Sequence, residues 1–141
     1  MSTYVARALQ QKVRKQFHNC CAYCHTSESL TATTFEIEHI TPVSAGGQTT
    51  ADNLCLACPT CNRYKAAKQT AEDPETSEEA TLFNPQQQSW PDHFAWNLEM
   101  TEIVGLTPTG RATSKLLRMN RLQLVRVRKL WIKLGEHPPS I

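Results

Sequence analysis

The chain of 141 residues has no run of 18 or more apolar residues, which excludes a segment long enough to cross a bilayer as a helix. Its opening stretch, MSTYVARALQQKVRKQ, is amphipathic and basic, without the apolar region or cleavage site of a secretory leader. The expectation is a soluble, cytoplasmic protein with no membrane partner. No internal repeat and no coiled-coil heptad is present, so a solenoid or a long coiled coil is excluded. Length is limited as well: it suits a single domain over 1–141 with a modest core, and small cores often need a staple.

Charge in excess is also lacking, since the formal net charge is only +2, but its distribution is uneven. Eight of the fifteen basic residues (Arg111, Lys115, Arg118, Arg121, Arg126, Arg128, Lys129 and Lys133) fall within 111–133. Arg63, Lys65 and Lys68 directly follow a Cys pair, while Glu72, Asp73, Glu75, Glu78 and Glu79 gather in one stretch. Such clustering marks either a polyanion-binding face or an ordinary solvated helix face.

Val5, Leu9, Val13 and Phe17 recur every four residues, predicting an N-terminal helix over 3–17 within a segment 1–19. From 20 to 70 the elements shorten: a Cys knuckle, a strand-like stretch from Thr33 to Ile40, a loop at Gly46-Gly47, and a helix start at Ala51–Leu54 that Asp52 or Asn53 can cap. Residues 71–92 are polar and interrupted by Pro74, Pro85 and Pro91, a connecting excursion around a Leu82-Phe83 anchor. Phe94, Trp96, Leu98 and then Ile103-Val104 suggest two short strands. Leu117, Leu124, Val127, Trp131 and Leu134 form the apolar stripe of one long basic helix at about 111–134, ended by Gly135 and Pro138-Pro139.

Six cysteines in a chain of this kind point to metal sites rather than disulfides, because a reducing compartment keeps thiols free. Cys21-Ala-Tyr-Cys24 and Cys58-Pro-Thr-Cys61 are two Cys-x-x-Cys pairs, and each offers two thiolates from one tight turn. Four soft anionic sulfurs with no open position suit structural Zn2+, which closes the loop and contributes folding energy. Cys20 and Cys55 are left over; only Cys21 keeps the two-residue gap to Cys24, so both read as small core residues.

Between the Cys pairs lies Phe35-Glu36-Ile37-Glu38-His39-Ile40-Thr41-Pro42, followed by Gly46-Gly47, Asp52-Asn53-Leu54 and, after the second pair, Asn62-Arg63-Tyr64-Lys65. In order, spacing and flanks these residues resemble the HNH endonuclease family over about 21–68. The resemblance implies an α+β fold: a ββα-metal finger with a structural zinc on four cysteines, here flanked by the N-terminal helix and a C-terminal extension, 71–141, of two strands and a long helix. It also implies hydrolysis of DNA phosphodiester bonds with a catalytic Mg2+ or Mn2+, and products bearing a 5′-phosphate. The DNA is expected to be double-stranded and read with low sequence specificity.

Phosphodiester hydrolysis needs a base to deprotonate water and a cation to take up charge on the phosphate. His39 can be that base. By the family match Glu38 and Asn62 hold the divalent ion, and Asn53 holds the loop and helps orient the base. Glu38 stands where the family more often has Asp, and in an extended segment it projects to the face opposite its neighbour His39. Glu36 could orient His39, approach the metal, or be an exposed strand carboxylate. Arg63, Lys65 and Lys68 would contact phosphates, positioning DNA without reading its sequence. His18, His25, His93 and His137 have no motif around them and read as surface or packing residues. The alternative reading is a non-catalytic zinc-finger DNA-binding or adaptor module. The sequence leaves the oligomeric state open.

Overall fold

The computed structural model describes residues 4–141, in which the chain forms two compact units. The first comprises the described residues up to Lys68 together with Asn84–Gln86 and Ile141; the second comprises Gln69–Phe83 and Gln87–Ser140. The architecture is α+β, built from small antiparallel strand pairs and short helices.

The first unit opens with α1, Arg7–Gln16; residue 3 of the expected helix lies outside the described residues. Its stripe behaves as the fourfold spacing predicts, with Val13 fully buried and Val5 nearly so. Arg14 and Lys15 stand in its last turn, where cations oppose the negative end of the helix dipole. Next come β1, Glu36–His39, and β2, Leu54–Ala57, paired antiparallel with Glu38 opposite Cys55 and His39 opposite Leu54. All four β2 residues are buried, and such an apolar run gives no alternation from which to choose helix or strand. The helix start expected at Ala51 is therefore a single 3-10 turn, Ala51–Asn53, leading straight into β2. Helix α2, Pro59–Lys65, follows; Pro59 fixes its first turn, and the Sγ of Cys58 accepts from the Cys61 amide at 3.4 Å. Gln86 returns to this unit, its amide donating to the Leu54 carbonyl at 2.8 Å and to Gln16 at 3.0 Å.

In the second unit the polar stretch after Lys68 is an ordered hairpin of β3, Thr70–Glu72, and β4, Glu79–Thr81. Asp73 organises its turn, accepting from the Glu75 amide and the Thr76 hydroxyl and holding Arg111 through two bonds of 2.9 Å. The short helix α3, Trp90–His93, precedes β5, Phe94–Trp96, and β6, Ile103–Gly105, the two strands read from the sequence. Phe83 and Phe94 meet edge to face at 5.2 Å in the core.

The single helix expected over 111–134 is two: α4, Pro108–Leu116, capped by the Thr107 hydroxyl on the Gly110 amide, and α5, Leu122–Lys133. Between them Arg118 takes a φ of 50°, and the Asn120 side chain brackets Ile103, accepting from its N–H at 2.7 Å and donating to its carbonyl at 2.8 Å. Arg128, counted above among the basic face, is fully buried; it donates to the Thr101 and Met119 carbonyls and lies 5.0 Å from the Trp96 ring centroid. Arg128 therefore belongs to the core.

The Arg111 guanidinium, with the turn donors, holds the buried Asp73 carboxyl well below the usual carboxylate range. A carboxyl depressed in the folded state contributes stability above its unfolded value, about 3.9, and loses it as pH falls toward its folded value. The melting temperature is thus expected to drop on acidification below about pH 4. Asp73→Asn is expected to be less stable at neutral pH and to show a flatter acid limb; an unchanged limb would remove Asp73 from the acid response.

Candidate active site and metal centre

The Sγ atoms of Cys21, Cys24, Cys58 and Cys61 all lie within 4.8 Å of one another, and all four residues are buried. None is in a disulfide, and Cys24 and Cys58 stand 3.8 Å apart, far beyond a sulfur–sulfur bond of about 2.05 Å. A tetrahedral zinc with Zn–S bonds of about 2.3 Å would set its sulfurs about 3.8 Å apart, so the cluster has the dimensions of a structural zinc site. Four buried thiols gathered in this way suit a divalent cation that takes all four as thiolates. Cys20 and Cys55 lie outside the cluster and are buried, as core residues should be.

This knuckle joins the first Cys pair to the start of α2 and meets β2 through the Ala22 amide, which donates to the Leu56 carbonyl at 2.7 Å. It thereby fixes α2 beside β1. Alternation along β1 sends Glu36 and Glu38 to one face and Ile37 and His39 to the other. On the first face the two carboxylates have different surroundings.

Glu38 is 5% exposed. Its Oε2 accepts from the Tyr23 hydroxyl at 2.8 Å and from the Cys55 thiol at 3.2 Å, and its Oε1 is 3.0 Å from the Lys65 ammonium. Lys65, named above with Arg63 and Lys68 for phosphate contact, is 1% exposed and also donates to the Ile40 carbonyl at 2.9 Å. Burial, then the neighbouring Cys55 and Glu38, pushes the Tyr23 phenol up; burial and Glu38 likewise raise Cys55. Both groups keep their protons and serve as donors to the carboxylate. Removing one partner of such a buried pair typically costs about 3 kcal/mol or more, so Glu38 and Lys65 clamp β1 to α2.

Glu36 is exposed, and its Oε1 accepts from the Asn62 amide of α2 at 2.7 Å. The structure therefore brings Asn62 against Glu36, whereas Glu38 is engaged one turn further along α2, at Lys65. Carboxylate and amide oxygens are hard ligands of the kind magnesium takes, with water and phosphate completing the shell, so the residues present fit a divalent ion. Arg63 and Lys68 are exposed, at the surface of the same unit.

On the other face the Nε2 of His39 is 2.8 Å from the Thr49 hydroxyl. Thr49 lies in the loop 41–53, which Asn53 pins: its Oδ1 accepts from the Thr41 N–H, and its Nδ2 donates to the Thr41 and Gln48 carbonyls. Gly47 admits this close approach, since a Cβ there would fall 1.8 Å from the Thr41 carbonyl oxygen. Sequence reasoning singles out His39, Asn53 and Asn62 but misses Tyr23, Thr49 and the structural role of Lys65. Tyr23 sits between two ligand cysteines with no pattern of its own, and Thr49 is marked only by its place after the two glycines.

Residues 21–68 match the family model for HNH endonuclease. The segment is thus similar to HNH endonuclease domains, which are nuclease domains acting on nucleic acid. No curated protein matches the chain. No helix among the described residues is long and apolar enough to cross a membrane.

Proposed function

We infer from the HNH match over 21–68, together with the hairpin geometry, that the protein is a metal-dependent endonuclease hydrolysing the backbone of double-stranded DNA with low sequence specificity. The observation that carries this reading is the 2.7 Å contact from Asn62 on α2 to Glu36 on β1. It sets an amide and a carboxylate together at the surface, on the strand that also carries His39.

His39 acts as the general base, its ring oriented through Thr49 and, behind it, the Asn53-pinned loop. A bound magnesium or manganese ion would take up charge on the phosphate and the leaving oxygen. Arg63 and Lys68 provide exposed cations for flanking phosphates, and such contacts make binding salt-dependent. Lys65 takes no part in that, because its ammonium holds Glu38.

The ion's ligands on this reading are Asn62 and a β1 carboxylate. Glu38 has the role by its place in the motif, and reaching an ion beside Asn62 requires it to loosen from Lys65. Glu36 is favoured by contact. Manganese titration followed by electron paramagnetic resonance separates the two, since it reads binding without turnover. If Glu36 is the ligand, Glu36→Gln weakens manganese at least tenfold while Glu38→Gln lowers the melting temperature and leaves manganese nearly unchanged. If Glu38 is the ligand, the two variants exchange their manganese behaviour. Unaltered affinity in both would remove the β1 carboxylates from the metal. A supercoiled plasmid left intact by the wild-type chain across a full magnesium and manganese series would overturn the nuclease reading.

A further inference from the structure

The break between α4 and α5 opens a groove of about 470 Å³, lined by Gly105, Arg111, Ser114, Lys115, Arg118 and Arg121 among others. No acidic side chain lines it. Asp73 and Glu75, the nearby acids, are spent on Arg111 in ion pairs of 2.9 and 3.1 Å, and Lys115, Arg118 and Arg121 give the groove a positive edge. The floor depends on Gly105: a Cβ there would fall 2.5 Å from the Arg111 amide nitrogen and 2.8 Å from its Cγ, so a larger residue would displace the arginine.

Basic residues at a helix C-terminus often do no more than oppose the dipole. That describes Lys115, in the last turn of α4; Arg118 and Arg121 lie beyond the end of that helix, where Arg121 donates from Nη1 to the Arg118 carbonyl at 3.1 Å, and both line the groove. Nor is the positive charge a share of a general excess, because the whole chain carries only +2. The cations are concentrated at one concave place in the second unit, outside the segment 21–68 that carries the HNH match.

We propose that this groove is a second nucleic-acid contact, in which Lys115, Arg118 and Arg121 hold backbone phosphates of the DNA that the HNH domain cuts. The proposal rests on the nuclease reading for the identity of the polyanion. The contacts go to phosphate, so the groove adds affinity and register but no base specificity. Arg128, also within 111–133, takes no part, since it is in the core.

The test is fluorescence anisotropy of a labelled 20-bp duplex (about two helical turns) with the full chain, magnesium withheld, across a series of salt concentrations. Lys115→Gln/Arg118→Gln is compared with Arg126→Gln/Lys129→Gln, which removes the same charge from α5 positions outside the groove. The groove variant should bind roughly tenfold more weakly near 0.1 M salt, with a salt slope shallower by about 2. The α5 variant should stay close to wild type, with melting temperature and zinc content equal in all three. Should the groove pair prove less stable, the single variants Lys115→Gln and Arg118→Gln are each expected to flatten the slope by about 1. Wild-type affinity in the groove variants overturns the proposal while leaving the nuclease reading standing. Equal losses in the groove and α5 variants overturn it too, by reducing the effect to net charge. Absence of binding by the wild-type chain overturns both.

Discussion

Replacing His39 with alanine is expected to lower DNA cleavage by a factor of roughly 10² to 10⁴, the range a positioned general base contributes. Duplex affinity, zinc content and melting temperature should change little. The imidazole is half-buried at the end of β1, and it bonds to the Thr49 hydroxyl, so alanine leaves no buried charge behind. The zinc knuckle, the Glu38–Lys65 clamp and the Asn53-pinned loop are independent of it. Plasmid nicking measured at saturating enzyme isolates the chemical step from binding. Thr49→Val is expected to produce a smaller loss, because it removes the group that orients the ring rather than the ring. A His39→Ala protein cutting at the wild-type rate would dismiss the imidazole from the reaction.

Loss of the four-sulfur cluster should have the largest effect on structure. Structural zinc contributes on the order of 10–16 kcal/mol in small zinc-dependent peptides. Whole domains are stable by only about 5–15 kcal/mol, so the first unit should not outlast its ion. Chelation, or Cys58→Ser, is expected to strip zinc and expose the amides of β1, β2 and α2 to hydrogen exchange. The second unit has its own core around Phe83, Phe94, Ile103 and Leu117 and should retain its protection. Full protection of the hairpin in a zinc-free protein would show that the cluster is not what holds the finger. Because Cys58 also caps α2 from its side chain, a serine there keeps the cap and removes only the ligand, which makes the variant specific.

The features legible in the sequence are those whose cause is local. Two Cys-x-x-Cys pairs state their geometry in their own spacing, and a fourfold apolar repeat is enough to place α1. The two acids of β1 show where local reading stops. Glu36 and Glu38 have the same period and the same chemistry, yet one is exposed and the other buried. The difference is made by Tyr23 from the knuckle and Lys65 from α2, residues far away in sequence. The C-terminal helix divides for a related reason: Leu117 and Leu124 continue one stripe in spacing, so nothing marks the break that Arg118 and Asn120 impose through a positive φ and a tertiary bond to Ile103. The β3–β4 hairpin is hidden because its only apolar residues are the paired alanines Ala71 and Ala80, its turn being held by one buried aspartate. Arg128 reads as surface because a charge is usually there, and the carbonyls of Thr101 and Met119, the Asn120 amide oxygen and the Trp96 ring help make its burial tolerable.

The return of Asn84–Gln86 to the first unit means that the polypeptide passes from one unit to the other, back, and over again before its end. A fragment stopping at Lys68 would contain every residue of the family match and both halves of the sulfur cluster. It would nonetheless lack the Gln86 amide that closes the Leu54 carbonyl and grips Gln16 of α1. Truncation at Lys68 would therefore leave the first unit short of these contacts, and after a single proteolytic nick between 69 and 83 the first unit would still include Asn84–Gln86 from the C-terminal fragment.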